Sequence, residues 1–194
     1  VETERMAQGV NFGTVRAGLH FGLGATWLEH GKELLDTDRG RGEELLRRGI
    51  GQIEEAAKQV PYPPYLRRLA EGYSALGETG KAEKTYRAAL LIAPDEFGLH
   101  YDLAGLFYET QRYNEALTEL RSTKKPGTML NRPELSDYHF GVGLVQLDGF
   151  QQQGQALYHF EEALKAYPQH REAKRIRELI AEISKRGVKP VPEP

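Results

Sequence analysis

Residues 66–94 read LRRLAEGYSALGETGKAEKTYRAALLIAP, and this stretch decides the fold of the 194-residue chain. Apolar residues recur here at i, i+3, i+4 and i+7, the spacing of one helix face: Leu66, Leu69, Ala70 and Tyr73. Gly80 indicates a turn, and the small Ala82 lets a second helix approach the first closely. Pro94 cannot extend that second helix. The stretch therefore predicts a pair of antiparallel helices.

The same pattern returns 34 residues later. Leu69-Ala70 matches Leu103-Ala104, Tyr73 matches Phe107, and Ala82 matches Ala116. Similarity at a fixed period is the sequence signature of a repeat protein, in which each unit buries its apolar face against its neighbours. The chain is therefore predicted to stack several such helix pairs.

Two further copies are less regular. A later one has Ala156, Phe160, Ala163 and Pro168 in its second helix, a first helix over 136–147, and a turn over 149–154 that holds one extra residue. About six more residues fall in 121–137, where Pro and Gly favour a loop. The earliest copy has a good opening half around Leu23-Gly24, but its closing half is displaced by about a dozen residues. Either its first helix is longer or residues 37–42 form a loop.

The end of the chain has a different pattern. Residues 169–186 place Ala173, Ile176, Ile180 and Ile183 on one face and basic residues on the other. This is the expected form of a helix that caps a terminal repeat and faces water. Residues 188–194 are rich in proline and are predicted to form an extended tail without core-forming residues.

Residues 66–94 resemble the tetratricopeptide repeat, whose pattern is W-x2-L-G-x2-Y, A-x3-F and P. Leu66 stands for the Trp and Ala70 for the Gly. The resemblance implies an all-α fold, a right-handed superhelix of antiparallel helix pairs. It divides a single domain over 1–187 into repeats at 18–61, 63–96, 97–130 and 136–169, with a capping helix at 169–187 and a tail at 188–194.

The amino-acid composition argues against several classes of function. Lys and Arg number 26 and Asp and Glu 28, so the formal net charge is −2. This near balance lacks the basic surplus typical of nucleic-acid-binding domains. Without cysteine, thiolate catalysis, thiolate metal sites and disulfides are excluded. No apolar run is long enough to cross a membrane. The chain starts at Val1 without a signal-peptide pattern, so we interpret this as a processed end or the boundary within a longer protein.

No catalytic, cofactor or metal site is predicted. The run Gly22 to Trp27 is similar to a dinucleotide-binding loop but has no strand before it, so a close helix contact is the better interpretation. The six histidines include no pair spaced i, i+4 in a helix, and solvated or packing roles are expected for them. The chain is therefore predicted not to be an enzyme and to need no cofactor.

In the family that the chain resembles, the first helix of each pair lines a concave surface that binds partner peptides. The helical register places these residues on it: Phe21, Arg67, Glu71, Ser74, Tyr101, Gly105, Tyr108 and Tyr138, with Ala25, Leu28 and Val145 in the same row. Some relatives hold chaperone carboxylates with Lys, Asn and Arg. The corresponding positions here carry other residues, which disfavours that role: Pro64, Arg68, Glu71, Gly98, Asp102 and Gly105.

The resulting hypothesis is a non-catalytic scaffold or adaptor that binds a protein or peptide segment. An accessory module of a larger enzyme or membrane-associated protein is the first alternative, and a stand-alone enzyme that uses the groove is the second. The sequence does not identify the partner or the compartment. A soluble domain is expected, either in the cytoplasm or outside it, as in the periplasm.

Overall fold

The computed structural model describes residues 12–123 and 129–192. Within these ranges the regular elements are helices. They are α1 Phe12–Leu34, α2 Arg39–Gln59, α3 Pro63–Ala75, α4 Thr79–Ile92, α5 Phe97–Glu109, α6 Tyr113–Ser122, α7 Arg132–Leu144, a π-helical segment Val145–Gly149, α8 Gln153–Ala166 and α9 Ala173–Lys185. The predicted all-α fold is confirmed.

The helices belong to two compact units, which divide between Pro94 and Asp95. In the first unit α1 packs against α2, and α3 against α4. In the second unit α5 packs against α6, α7 against α8, and α9 against α8. The predicted single domain over 1–187 and the repeat boundaries within it stay predictions.

The core consists of the repeated positions that the sequence singled out. Ala82, Ala116 and Ala156 are all 0% exposed, so each second helix meets its first helix through a small side chain. Tyr86 and Phe160, four residues further on, are buried as well. The pattern of small and large residues is therefore a packing pattern.

Each of the three regular hairpins turns through a residue with positive φ. Gly77, Gln111 and Gln151 have φ of 73°, 59° and 56°. A residue in this left-handed conformation commonly ends a helix. Gly77 and Gln111 lie 34 residues apart, so the turn repeats together with the helices. Gly80, predicted to be at the turn, instead lies in the first turn of α4.

The extra residue predicted in the third hairpin forms part of a π-helical turn. A backbone hydrogen bond closes each helix end: Glu78 N–H donates to Tyr73, Arg112 N–H to Phe107, and Gln152 N–H to Gln146. The first two bonds span five residues and the third spans six. The additional residue therefore lies between Gln146 and Gln152, where a one-residue insertion produces the π segment Val145–Gly149.

The closing half of the earliest repeat is displaced in the sequence because both helices of the first hairpin are long. α1 has 23 residues and α2 has 21, against 13 and 14 for α3 and α4. The extra residues lengthen both helices, and only a short turn before Arg39 joins them. Asp38 caps α2 by accepting a hydrogen bond from Arg41 N at 3.1 Å. Gly40 and Gly42, predicted as part of a possible loop, lie inside α2 because this cap starts the helix before them.

The segment between the second and third copies also differs from the prediction. Asn131, Arg132 and Pro133, interpreted as loop signals, begin α7. Asn131 accepts a hydrogen bond from Glu134 N at 2.9 Å, and its own N–H donates to the Glu134 carboxylate at 3.0 Å. This reciprocal capping box starts the helix, and proline is well tolerated in a first helical turn. Residues 124–128 of the predicted loop lie outside the described residues.

The C-terminal helix covers the apolar side of α8, as a capping helix should. Ile176 and Ile183 are 0% and 2% exposed and belong to the same cluster as Phe160. The tail after α9 is not without core contacts, because Val188 packs against this cluster. Val191 N–H then donates to the carbonyl of Gly154 at 2.9 Å, so the tail returns to the start of α8.

Candidate functional site

The first helices of the hairpins carry the predicted binding residues, and we call the surface that they form in each unit its inner face. In the first unit, α1 and α3 contribute it. Its centre is Glu71, whose carboxylate lies 2.8 Å from Arg68, 3.4 Å from Lys32 and 3.7 Å from Arg67. Glu29 adds a second carboxylate 2.8 Å from Arg68. These five side chains form an ion cluster, which we call the Glu71 cluster.

Aromatic rings lie beside this cluster in the first unit. Phe21 on α1 stacks on Tyr65 on α3, with ring centroids 4.5 Å apart, and Tyr62 meets Tyr65 edge to face at 5.3 Å. Phe21 is half-buried, so one side of its ring is committed to Tyr65. Ser74 is half-buried on the same helix as Tyr65. The inner face of the first unit is thus charged and already paired within the protein.

The inner face of the second unit contains an open cavity of about 80 Å³ between α5 and α7. The residues that line it include Tyr101, Gly105, Tyr108, Gly141, Leu144 and Val145. Two glycines shape it. A Cβ on Gly141 would lie 3.3 Å from the Tyr101 ring, so the bare backbone lets that ring approach α7. A Cβ on Gly105 would meet nothing within 4 Å, so the mouth of the cavity is open there.

The two tyrosines of the cavity have phenol groups that are harder to ionise than in water. Tyr108 donates a short hydrogen bond to Asp148. Burial is the larger cause, and this hydrogen bond the second, of a rise in the pKa of Tyr108 above its ordinary value. Burial and the charge of Asp137 raise the pKa of Tyr101 to about 12. Both phenols therefore stay neutral and can present a polar edge beside an apolar ring.

The π segment places Asp148 in this site. One inserted residue rotates every following side chain by about 100° around the helix axis. Asp148 lies near the end of the π segment and accepts a hydrogen bond from the Tyr108 hydroxyl, while Val145 at the start of the segment lines the cavity. Single π turns of this kind are frequent at functional sites. Sequence reasoning found the extra residue but did not assign Asp148 to the site.

Basic side chains from the C-terminal end border the same inner face. Arg171 lies 3.6 Å from Asp137, and its positive charge partly offsets the rise in the pKa of Tyr101. Arg175 lies over the ring of Phe140, 5.8 Å from its centroid, and its charge reaches Tyr108. Sequence reasoning assigned both arginines to the solvent face of a capping helix. They are solvent-exposed, and their charges also act on the two tyrosines of the α5–α7 cavity.

The structure separates the predicted groove residues into three groups. Tyr101, Gly105 and Tyr108 lie together at the cavity of the second unit. Arg67, Glu71, Phe21 and Ser74 lie on α1 and α3 of the first unit. Tyr138 does not belong to a surface: its ring is 3% exposed and meets the rings of His139 and His159 at 5.2 and 6.5 Å. Its predicted groove position was wrong because α7 turns that side chain toward α8.

Leu28 and Val145 were placed in the same groove row. Leu28 is 0% exposed and belongs to the core of the first hairpin, so this position was also wrong. Val145 is 1% exposed and forms the floor of the cavity rather than its rim. Ala25 is half-buried on α1.

The histidines make packing and hydrogen-bonding contacts. His139 and His159 approach each other with 2.9 Å between their Nδ1 atoms, His100 meets Glu119 at 2.8 Å, and His170 meets Asp137 at 2.9 Å. Among residues 12–123 and 129–192, these side chains do not gather into a group of three or more potential metal ligands. No helix in the same ranges is long and apolar enough to cross a membrane.

Solved structures with this arrangement of hairpins are tetratricopeptide-type proteins, and the chain has their fold. It superimposes on a Pseudomonas aeruginosa PilF structure with a TM-score of 0.66 and 21% identity, over 87% of this chain and 70% of that one. The superposition on MamA has a TM-score of 0.60 and 17% identity, over 78% of this chain and 85% of MamA. The superposition on a thermophilic TPR protein of Thermus thermophilus has a TM-score of 0.59 and 19% identity, over 84% of this chain and 82% of that protein.

At these identities the similarity is one of fold. No protein-family profile matches the sequence, and no curated protein matches it. The resemblance recognised in residues 66–94 is thus supported by the three-dimensional arrangement of the helices.

Proposed function

We propose that this chain is a non-catalytic scaffold that binds a segment of another protein on the inner faces of its helix pairs. The observation that carries the proposal is the α5–α7 cavity, where two tyrosine rings and the glycine-lined backbone leave apolar space open to solvent. Buried aromatic anchors commonly supply most of the energy of a protein interface. Extended surfaces on the first helices are also where repeat proteins of this fold bind their partners.

The chemistry of the cavity supports binding rather than catalysis. Its walls are apolar or aromatic, and its ionisable groups are phenols whose pKa is raised, so they are poor bases or nucleophiles near neutral pH. An aliphatic side chain of a bound segment fits between Tyr101 and Tyr108. The hydroxyl group of Tyr108 then lies at the rim, where a peptide backbone needs polar contacts.

The test uses peptide selection, because this method works before the partner has been identified. A displayed library of random linear peptides is selected against the immobilised chain, and enriched peptides are titrated by fluorescence anisotropy. Gly105→Gln should abolish their binding, since the new side chain fills the mouth of the cavity. Gly51→Gln is the matched control: its Cβ also meets nothing within 4 Å, but it lies on α2 in the first unit.

Both variants should fold at least as well as the original chain, because each replaces glycine within a helix by a better helix former. Two results would contradict the proposal. One is a selection that enriches no peptide, and the other is an enriched peptide that binds the Gly105→Gln variant as tightly as the Gly51→Gln variant.

A further inference from the structure

The side of α1 that faces away from α2 exposes apolar residues over several turns. Val15, Leu19 and Leu23 have 51%, 71% and 45% of their surface exposed. Gly18 and Gly22 lie among them, and a Cβ on either glycine would meet nothing within 4 Å among the described residues. Contiguous exposed apolar surface commonly marks a site of interaction. We call this surface, with Thr26 one turn further on, the α1 stripe.

Thr26 extends the α1 stripe without adding a polar group that needs water. Its hydroxyl donates a hydrogen bond to the carbonyl of Gly22 at 3.0 Å, so it is satisfied within the helix. The α1 stripe contains no ionisable residue. The exposed Arg16 lies beside it, and the aliphatic part of an arginine can cover apolar surface. This chemistry suits contact with another apolar helix.

The spacing of the α1 stripe is that of a coiled-coil seam. Val15, Leu19, Gly22 and Thr26 follow at intervals of four, three and four residues, as d and a positions of heptads do. In an antiparallel pair of helices, each a position meets a d position. Leu19 then faces Gly22 of the second helix, and Val15 faces Thr26. Every layer therefore pairs a larger side chain with a smaller one, which packs well and lets the backbones approach.

We propose that the α1 stripe is a self-association surface, on which α1 of a second copy of this chain packs antiparallel about a twofold axis. A parallel pair would set Leu19 against Leu19 and Gly22 against Gly22, which leaves a gap in one layer and crowds the other. A shift by one heptad would place Leu19 against Val15 or against the charged Glu29. The sequence of α1 thus favours one orientation and one register with itself.

The size of the α1 stripe predicts a weak dimer. The stripe extends for about 18 Å along a helix that is about 10 Å wide. This contact is smaller than the roughly 800 Å² that each partner buries in a stable complex of standard size. We therefore expect dissociation in the micromolar range, so that the chain exchanges between monomer and dimer.

The test is sedimentation equilibrium of the full chain over a micromolar concentration series, which should show monomers and dimers. Leu19→Glu should abolish the dimer, because dimerisation would bury its carboxylate in the seam. Leu91→Glu is the matched control, since Leu91 is 88% exposed on α4, outside the stripe, and its replacement should leave the dimer unchanged.

A second variant tests the seam by volume and does not depend on charge. Gly22→Leu should also abolish the dimer, because the new side chain occupies the space that Leu19 of the second copy needs. The variant should fold at least as well as the original chain, since leucine is the better helix former and a Cβ at this position meets nothing within 4 Å in the described chain. Circular dichroism of each variant verifies the helices.

Single cysteines report the orientation, because the chain has none of its own. Under mild oxidation, a mixture of the Val15→Cys and Thr26→Cys variants should form a mixed disulfide. Val15→Cys alone should not cross-link, because antiparallel packing separates its two copies by about 16 Å along the helix axis, beyond the reach of a disulfide.

Three results would overturn the proposal. The first is a chain that stays monomeric at every concentration, which would assign the α1 stripe to another occupant. The second is a dimer that Leu19→Glu weakens no more than Leu91→Glu does. The third is cross-linking of Val15→Cys with itself, which would show that the helices run parallel.

Discussion

A Cβ atom on Gly24 would lie 2.8 Å from the carbonyl oxygen of Gly49, and a Cβ atom on Gly49 would lie 2.8 Å from that of Gly24. The same reciprocal approach recurs between Gly31 and Gly42, at 2.9 Å in both directions. The two long helices α1 and α2 therefore touch backbone to backbone at two levels. Regular repeats use a buried alanine at such crossings, and this hairpin is closer still.

Replacing Gly49 by Ala should destabilise the chain, although alanine is the better helix former. The added methyl group would meet the Gly24 carbonyl and, at 2.9 Å, the buried Leu28. Overpacking of this kind costs about 1–3 kcal/mol. Gly51→Ala should instead stabilise the chain by up to about 1 kcal/mol, because its Cβ meets nothing. Urea unfolding of both variants checks the opposite signs, and equal shifts would contradict the close approach.

Gln111→Gly should stabilise the chain. Gln111 has φ of 59°, where a side chain is strained and glycine is not. Relief of this strain is worth about 1 kcal/mol. Gln155→Gly, inside α8, should have the opposite effect of similar size. Thermal melting of the two variants provides the measurement, and destabilisation by Gln111→Gly would show that its side chain has a role beyond the turn.

Glu71→Gln should lower the free energy of unfolding by about 1 kcal/mol at low salt. The change leaves Lys32, Arg67 and Arg68 around an uncharged amide in the Glu71 cluster. The effect is modest because these side chains are partly solvated, and it should shrink in about 1 M salt. Glu44→Gln breaks a more exposed pair with Arg48 and should have almost no effect. Equal losses from both variants would mean that the cluster is not cooperative.

Stability should fall as the pH rises from about 10 toward 12, and Tyr101 should contribute to the fall. The pKa of Tyr101 in the folded chain is about 12, against about 10 in an unfolded chain. Between these values the unfolded state releases its proton first, so the stabilising contribution of Tyr101 is complete below about pH 10 and is lost progressively as the pH rises to about 12. Tyr73 and Tyr108 shift in the same direction.

The variant Tyr101→Phe should show a shallower loss of stability over this alkaline range. Urea unfolding at a series of pH values, with ultraviolet titration of the phenols, measures it. An unchanged slope in the variant would show that Tyr101 titrates normally in the folded chain.

The fold was predictable because its spacing follows from helical geometry. Leu69, Ala70 and Tyr73 are buried as the i, i+1, i+4 relation requires, and the 34-residue offset carries the same burial to Leu103, Ala104 and Phe107. The sequence could not decide whether the extra residues of the first hairpin form a loop or lengthen its helices. When both helices are longer, they still pack against each other along their whole length. Only the distance between matching residues reveals the extra residues, and that distance fits a loop equally well.

The candidate site was predictable only in part. Tyr101, Gly105 and Tyr108 are spaced along one face of α5, so helical register was enough to place them together. The predicted groove position of Tyr138 was wrong because helical register fixes the relative positions of residues on a helix but not which side of the helix faces its neighbour. Arg175 was missed because exposed residues carry no periodic constraint, and its contact with Phe140 depends on how α9 packs.

The return of the tail to α8 has a consequence for the unfolded chain. In the segment Pro190–Val191–Pro192, only Val191 has a backbone N–H, and this is the group that binds Gly154. Proline on both sides of Val191 restricts the backbone of the unfolded chain, so this segment loses little conformational entropy when it packs against α8. The hydrogen bond from Val191 to Gly154 and the packing of Val188 against the core cluster hold the segment in place. The amide proton of Val191 should accordingly exchange with solvent more slowly than its exposed position implies.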